Sequence, residues 1–389
     1  MEKYQRDFID VLKAAFSTSK TRLPDNFDYE RAVHVAKKHN IVPILFYGAM
    51  NCNVSQNDPY MDELFQLTLQ SAMVSMQQTY EVEQIVRAFE AEKIKYMLLK
   101  GSILKNLYPK PEMRTMGDAD ILIDMEQYSK VASLMEQLQF TFKKETDHEM
   151  IWSKPTLLLE LHKRIMTTYN KDYYRYYGNG WGLAHHVANS SHFVMSPEDF
   201  YIFIFVHFTK HYRISGIGIK HLIDLWVYVE GNQNLNWNYI EKELGKLQLS
   251  QFHFNIRKTI SVWFEGGTDT NVSDLITSVI FNSGEYGTAE MAIINRSLQK
   301  GKNSSFKIKA YQVLYNIFLP YKEMKKRYAV LNKLPVLLPF MWVVRFFDIT
   351  FRHKSRVKSF MRKINKVDSS QIKGNEQALH IVGLDFFEH

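Results

Sequence analysis

The chain has 389 residues, 46% apolar and 23% charged, proportions that exclude a disordered polymer and allow two or three domains at about 150 residues each. Gly and Pro number 17 and 10, together about 7% of the chain against a usual ~12%, which weighs against a turn-rich all-β fold and for long helices. The net charge of +8 is concentrated: Arg345, Arg352, Lys354, Arg356, Lys358, Arg362, Lys363 and Lys366 face Asp348 alone, so the remainder is close to neutral and a uniformly basic surface is excluded.

Cys52 is the only cysteine, so neither an intrachain disulfide nor a cysteine-built zinc site can form, and no disulfide-linked partner is expected. The first residues, Met1 to Asp7, lack the apolar run of a secretion signal. The most apolar stretch, Leu334 to Val344, is about half the ~20 residues a spanning helix needs and contains Pro335 and Pro339, so a cytoplasmic protein is expected.

In chain order, Phe8, Val11, Leu12 and Phe16 recur at helical spacing, and Asp28 to Lys38 reads as a short helix before the apolar run Ile41 to Phe46. Asn51 to Pro59 is polar and turn-like. Leu64, Leu67, Leu69, Met73 and Met76 mark one helix, and Thr79 to Glu92 a further one with Val82, Ile85, Val86 and Phe89 on its apolar face. Tyr96 to Leu99 then reads as a buried strand ending at Gly101, followed by a short helix from Ser102 to Leu107 and a loop from Tyr108 to Met116. Asp118 to Asp124 is a second strand and Gln127 to Leu138 a helix. Phe140 to Lys143, Met150 to Ser153 and Thr156 to His162 are further strands. From residue 166 the pattern is helical again. Ser196 caps a helix from Phe200 to Tyr212, Gly216 and Gly218 interrupt, and Ile219 to Glu230, Asn236 to Leu247, Gln251 to Phe264 and Ser304 to Leu319 continue the series. The expected class is α+β: a helical N-terminal region over 1–92, a small mixed-sheet core over 93–165, a large helical C-terminal domain over 166–345, and a basic tail over 346–389.

The chemistry is expected in the α/β core. Asp118 and Asp120 are two apart on a strand, so their side chains project from one face, where two carboxylates repel unless a cation lies between them; hard oxygens favour Mg²⁺ or Mn²⁺. Glu160 stands alone on the apolar strand Leu157 to Leu161, a costly position that a third metal ligand would explain. Gly101 and Ser102 at a strand-to-helix junction offer backbone approach, free N–H groups and a hydroxyl to a triphosphate, and Arg114 carries a fork of donors for a phosphate oxygen.

The ordered string Leu99-Lys100-Gly101-Ser102, Tyr108, Arg114, Gly117-Asp118-x-Asp120-Ile121-Leu122-Ile123 and Glu160-Leu161-His162 resembles the bacterial uncharacterised nucleotidyltransferase family of the DNA polymerase β-type superfamily. Likeness continues in His207-Phe208-x-Lys210-His211, in Gly216 to Asp224, and around Tyr328, Pro339, Trp342 and Arg345. The resemblance implies transfer of a nucleoside monophosphate from an NTP to an acceptor hydroxyl or amine with release of pyrophosphate. It assigns Asp118, Asp120 and Glu160 to Mg²⁺ or Mn²⁺ and to catalysis. Lys100, Gly101, Ser102, Arg114, Gly117 and Lys220 are assigned to the nucleotide, and His162, His207, His211 and Asp224 to the acceptor or to supporting contacts. Lys100 departs from the wider superfamily, where many members have glycine or another small residue before Gly-Ser.

Other readings stay open from sequence. One is a catalytically silent NTP-binding module of the same fold. Another is a metallohydrolase using His207 and His211, one helical turn apart. Lys220 and Asp224 have the spacing of a helix-surface ion pair. The acceptor could be a small molecule, a sugar, RNA or a protein. Val336 to Phe351 and the cations after it read first as a core helix with a solvated basic end, with contact to an anionic membrane or to RNA as the alternative.

Overall fold

The computed structural model describes residues 1–54, 59–299, 305–352, 358, 362 and 369–385. It is a mixed α+β fold with a small five-stranded sheet among many helices. The chain begins with helices α1 (Lys3–Ala14), α2 (Tyr29–His39), α3 (Val42–Asn51) and α4 (Pro59–Ala91). Asp28 caps α2 by accepting from the Arg31 N–H at 3.0 Å, and Asn40, in the left-handed region at φ 55°, ends it. Residues 55–58 of the expected Asn51–Pro59 turn lie outside the described residues.

The two helices expected over Leu64–Met76 and Thr79–Glu92 are one helix of 33 residues, because neither Gly nor Pro occurs between Tyr60 and Ala91 to break it. Its first part leaves Leu69, Met73 and Met76 exposed, whereas Val82, Ile85 and Phe89 farther along are buried against the sheet.

The sheet comprises β1 (Tyr96–Leu98), β2 (Ala119–Ile123), β3 (Thr141–Glu145), β4 (Glu149–Ser153) and β5 (Leu158–His162), in the order β1-β2-β5-β4-β3. Only β2 and β5 run parallel; the other neighbours are antiparallel. Helix α6 (Tyr128–Gln137) follows β2 and supplies Val131 and Met135 to one face of the sheet, where they pack with Ile121, Ile123, Leu159 and Leu161. A partly buried ion pair from Lys154 to Glu81 at 2.6 Å ties the β4–β5 turn to α4.

Beyond the sheet come α7 (Lys171–Tyr177), the hairpin of β6 (Ala184–His186) and β7 (Phe193–Met195), and helices α8 (Pro197–Ser215), α9 (Ile219–Gly231), α10 (Trp237–Lys246), α11 (Ser250–Phe264) and α12 (Asn271–Ser283). Ser196 accepts from the Asp199 N–H at 3.0 Å, the cap that the sequence predicts. The last described helices are α13 (Ala289–Leu298), α14 (Ser305–Ile317), α15 (Tyr321–Arg327), α16 (Val330–Lys333), α17 (Leu338–Arg352) and α18 (Ser369–Val382).

The chain divides into two compact units, one of Met1–Thr209 with Gly218–Glu285 and the other of Lys210–Ile217 with Tyr286–His389. In the second, Ile294, Leu298, Ile308 and Ile372 form one apolar cluster and Leu319, Met324, Leu331 and Met341 another. Arg345, within the stretch expected as a core helix, is buried and hydrogen-bonded to Tyr328. Lys354, Arg356, Lys363 and Lys366 lie outside the described residues. No helix among the described residues is long and apolar enough to cross a membrane.

Within the first unit, the loop leading into β2 is pinned to α9. Arg114 grips Asp224 with two parallel bonds, Nε to Oδ1 at 3.0 Å and a terminal nitrogen to Oδ2 at 2.8 Å, and Tyr108 donates to the same carboxylate at 2.7 Å. Lys220 donates to the Thr115 carbonyl at 3.2 Å and pairs with Glu285. Lys220 and Asp224 are thus not the helix-surface pair that their spacing suggests; both are buried, because their face of α9 packs inward. The start of α9 is held by His39, which accepts from the Ile219 N–H on Nδ1 and therefore donates from Nε2 to the Phe281 carbonyl at 3.2 Å. Burial lowers that imidazole to about 4, so it stays neutral in this role.

Asp224→Ala leaves a buried guanidinium without its carboxylate and should lower unfolding stability by about 3–5 kcal/mol, with partial recovery when Arg114→Met is added. Chemical denaturation of the three proteins checks this, and a loss below ~1 kcal/mol in the single variant would show that the fork does not anchor the loop.

Candidate active site

Strand register collects the ionisable side chains on the sheet face opposite the α4 and α6 packing. The parallel pairing sets Asp120 beside Glu160 and Leu122 beside His162, and the antiparallel pairing of β4 with β5 sets Glu149 opposite His162. Residues paired across strands share a face, and alternation sends Ile121, Ile123, Leu159 and Leu161 into the core while Asp120, Glu160 and His162 point the other way.

Asp120 is 3% exposed, and its Oδ1 accepts from Lys100 Nζ and from His162 Nε2, each at 2.7 Å. His162 Nε2 also lies 3.7 Å from Glu160 Oε2. Burial alone would raise the Asp120 carboxyl, but the Lys100 ammonium and the His162 contact outweigh it and hold the group well below the usual carboxylate range. Glu160 lacks such a cation at contact distance among these partners; burial and the charges of Asp120, Asp118 and Glu149 push it up to about 8. Asp118, just before β2, is raised by burial and then by Asp120. The group at Lys100 is raised despite burial because Asp120, Asp118 and Glu160 surround it with negative charge.

Lys100 adopts φ 40° and ψ −113°, backbone that favours glycine and strains a residue with a side chain. A Cβ at Gly101 would lie 2.9 Å from Met116 Sδ and 3.3 Å from the Arg114 guanidinium, so the Met116 side chain would have to shift. The helix that follows, α5 (Gly101–Leu104), is a single turn, continued by a tighter 3-10 turn from Lys105 to Leu107.

The structure gathers Asp120, Glu160, His162 and Lys100 into one cluster, with Asp118 at its edge. Among the described residues two groups of three metal-ligating side chains have donor atoms within 4.8 Å of one another: Asp120, Glu160 and His162, and His148, Glu149 and His162. Asp118 stands outside both. Ser102 lines a pocket of about 310 Å³ with Val82, Val86, Leu98 and Met116, and none of the three acids lines it. Its hydroxyl is buried without a hydrogen-bond partner among the described residues. Gly117 is exposed. Arg114, Lys220 and Asp224 sit in the buried network described above. His207 has its ring 6.4 Å from that of His221, while His211 belongs to the second unit, and neither joins a ligand group of three among the described residues.

His148 and Glu149 were not singled out by sequence. The available signal is two adjacent ligand-type residues at the start of a strand; the expected strand begins at Met150, whereas β4 begins at Glu149 and sets it opposite His162.

A divalent cation fits the donor chemistry here. Carboxylate oxygens of Asp120 and Glu160 converge beside His162, and the high Glu160 value, raised first by burial and then by Asp120, Asp118 and Glu149, includes negative charge that a cation would offset.

That value has a consequence for stability. In the fold Glu160 titrates near 8, above its ordinary 4.5, so its neutral form favours the folded state at acid pH and the advantage is lost as pH rises between those values. Glu160→Gln stays neutral throughout. Melting temperatures of the metal-free proteins should therefore diverge from about pH 5 to about pH 8.5, the variant gaining on the order of 2 kcal/mol over wild type. A pH-independent difference would remove Glu160 from the charged cluster.

One family model, described as "Uncharacterised nucleotidyltransferase", matches residues 25–265, more than half of the chain and all of the sheet and α9. No curated protein and no solved structure matches.

Proposed function

The chain belongs to the uncharacterised nucleotidyltransferase family, and from that premise we propose that it transfers a nucleoside monophosphate from an NTP to an acceptor hydroxyl or amine, with Mg²⁺ or Mn²⁺ held at Asp118, Asp120 and Glu160. The observation that carries this reading is the register of β2 on β5, which brings Asp120 against Glu160 at the end of the Gly117-Asp118-x-Asp120 segment.

In the proposed reaction the acceptor oxygen or nitrogen forms a bond to the α-phosphorus as the bond from that phosphorus to the β-phosphate bridging oxygen breaks. Pyrophosphate leaves with the bridging electrons, and the acceptor loses its proton. The divalent ion supplies charge that lowers the acceptor's pKa and offsets the negative charge of the triphosphate and leaving pyrophosphate.

The protein's own groups divide the remaining work. Asp120, fixed by His162 at 2.7 Å, is a rigid anchor. Asp118 stands just before β2, outside the regular strand. Glu160 is poised by its raised value to lose a proton once the surrounding negative charge is offset. Lys100, bonded to Asp120, has an ammonium to offer a triphosphate oxygen. Gly101 and Ser102 bring backbone N–H groups and a hydroxyl to the same end of β1. Lys220 and Arg114 act from a distance, through the loop that they hold in place.

Incubation with each NTP, Mg²⁺ or Mn²⁺ and a cell extract tests this by pyrophosphate release. Asp118→Ala, Asp120→Ala and Glu160→Ala should each reduce release by about 100-fold or more while leaving the fold intact. Full activity in any of the three, or nucleotide binding with no release by the wild type, overturns the reading.

A further inference from the structure

We propose that His148, Glu149 and His162 form a second cation site, for a divalent transition metal such as Zn²⁺, beside the acid cluster. His148 Nε2 lies 3.0 Å from Glu149 Oε2, and the ligand atoms of all three residues fall within 4.8 Å of one another. Two imidazoles and one carboxylate are the donor set of borderline metals, whereas Mg²⁺ selects oxygen and keeps much of its water.

The argument turns on the two nitrogens of His162. Asp120 accepts from Nε2, and the same Oδ1 already receives the Lys100 ammonium, so the proton in the contact sits on the imidazole. In a neutral ring that leaves a lone pair on Nδ1. His162 is 2% exposed, and among the described residues its Nδ1 has no hydrogen-bond partner. A buried polar atom left unpaired is costly, and a cation bound by Glu149 and His148 would satisfy it. Glu149 is placed for this by strand register, directly opposite His162.

His148 is oriented in turn by the β3–β4 turn. Thr146 Oγ1 lies 3.4 Å from His148 Nδ1 and 3.3 Å from Glu149 Oε1, which turns His148 Nε2 and the other Glu149 oxygen toward each other. Partners of this kind fix the ring and tautomer of a metal-binding histidine. Three protein ligands leave a fourth position open to water or to a ligand. An ion there would lock His162 in the tautomer that donates to Asp120, so occupancy of one site would hold the anchor of the other.

The test uses the full chain, stripped with chelator and kept in excess Mg²⁺ to fill the oxygen donors, then titrated with Co²⁺ and back-titrated with Zn²⁺. The wild type should take up one equivalent with the intense visible absorption of four-coordinate, nitrogen-bound Co²⁺, and Zn²⁺ should abolish it. His148→Asn and Glu149→Gln should each weaken binding by about tenfold or more, and Thr146→Ala by less. Asp118→Asn should retain the equivalent.

Unchanged affinity and spectrum in both ligand variants overturns the proposal, as does loss of the equivalent in Asp118→Asn, which would assign the ion to the acid cluster. Absence of uptake by the wild type also overturns it. Circular dichroism of each metal-free variant establishes that it is folded. Pyrophosphate release on the same preparations reports separately on nucleotidyl transfer, so either reading can fail while the other stands.

Discussion

A carboxylate buried between an ammonium and an imidazole governs the architecture of the sheet's polar face. Asp120 can be ionised there only because Lys100 and His162 both reach the same oxygen. The first requires the chain leaving β1 to turn back over β2, and Lys100 does so at positive φ, a strain of roughly 1–3 kcal/mol that its charge contacts offset. The second requires β5 to lie parallel to β2 with Glu160 beside Asp120, since a one-residue slip would send His162 into the apolar core. One ion cluster therefore fixes strand direction, strand register and an unfavourable backbone conformation together.

A second set of buried charges supports the approach to this cluster without entering it. Arg114, Tyr108 and Asp224 tie the loop before β2 to α9, while His39 and the pair of Lys220 with Glu285 tie α9 to its neighbours. Such pairs add little net stability over a well-packed apolar substitute, but removing one member leaves the other stranded. Their value is positional: the segment carrying Gly117 and Asp118 has no regular structure of its own and takes its course from these bonds.

The sequence was most informative where local periodicity and chemistry coincide. An acid flanked by Ile and Leu on a short strand identifies both the strand and the anomaly, which is why Asp118, Asp120 and Glu160 stood out together with the class of fold. Contacts distant in sequence left no such trace. Arg114 carries the donors of a phosphate ligand, yet its carboxylate partner is 110 residues away. Lys100 reads as a phosphate-facing lysine and bonds to an acid 20 residues on. Helix α4 was divided because its apolar positions change character along its length, from exposed Met73 and Met76 to buried Ile85 and Phe89, although its backbone runs through without a break.

These charges also determine how ligands would influence one another in the proposed reaction. A cation approaching Asp120 meets an ammonium already bonded to it, and the two repel. A triphosphate offers that ammonium an alternative set of oxygens. Drawing Lys100 away would therefore strengthen the cation's hold, and by reciprocity a bound cation would release Lys100 toward the triphosphate. A glycine at this position could serve the backbone conformation at less strain but could not carry that coupling. The positive φ of Lys100 and the contact of its ammonium with Asp120 are thus two sides of one constraint: a side chain occupies a strained position where its charge acts on Asp120.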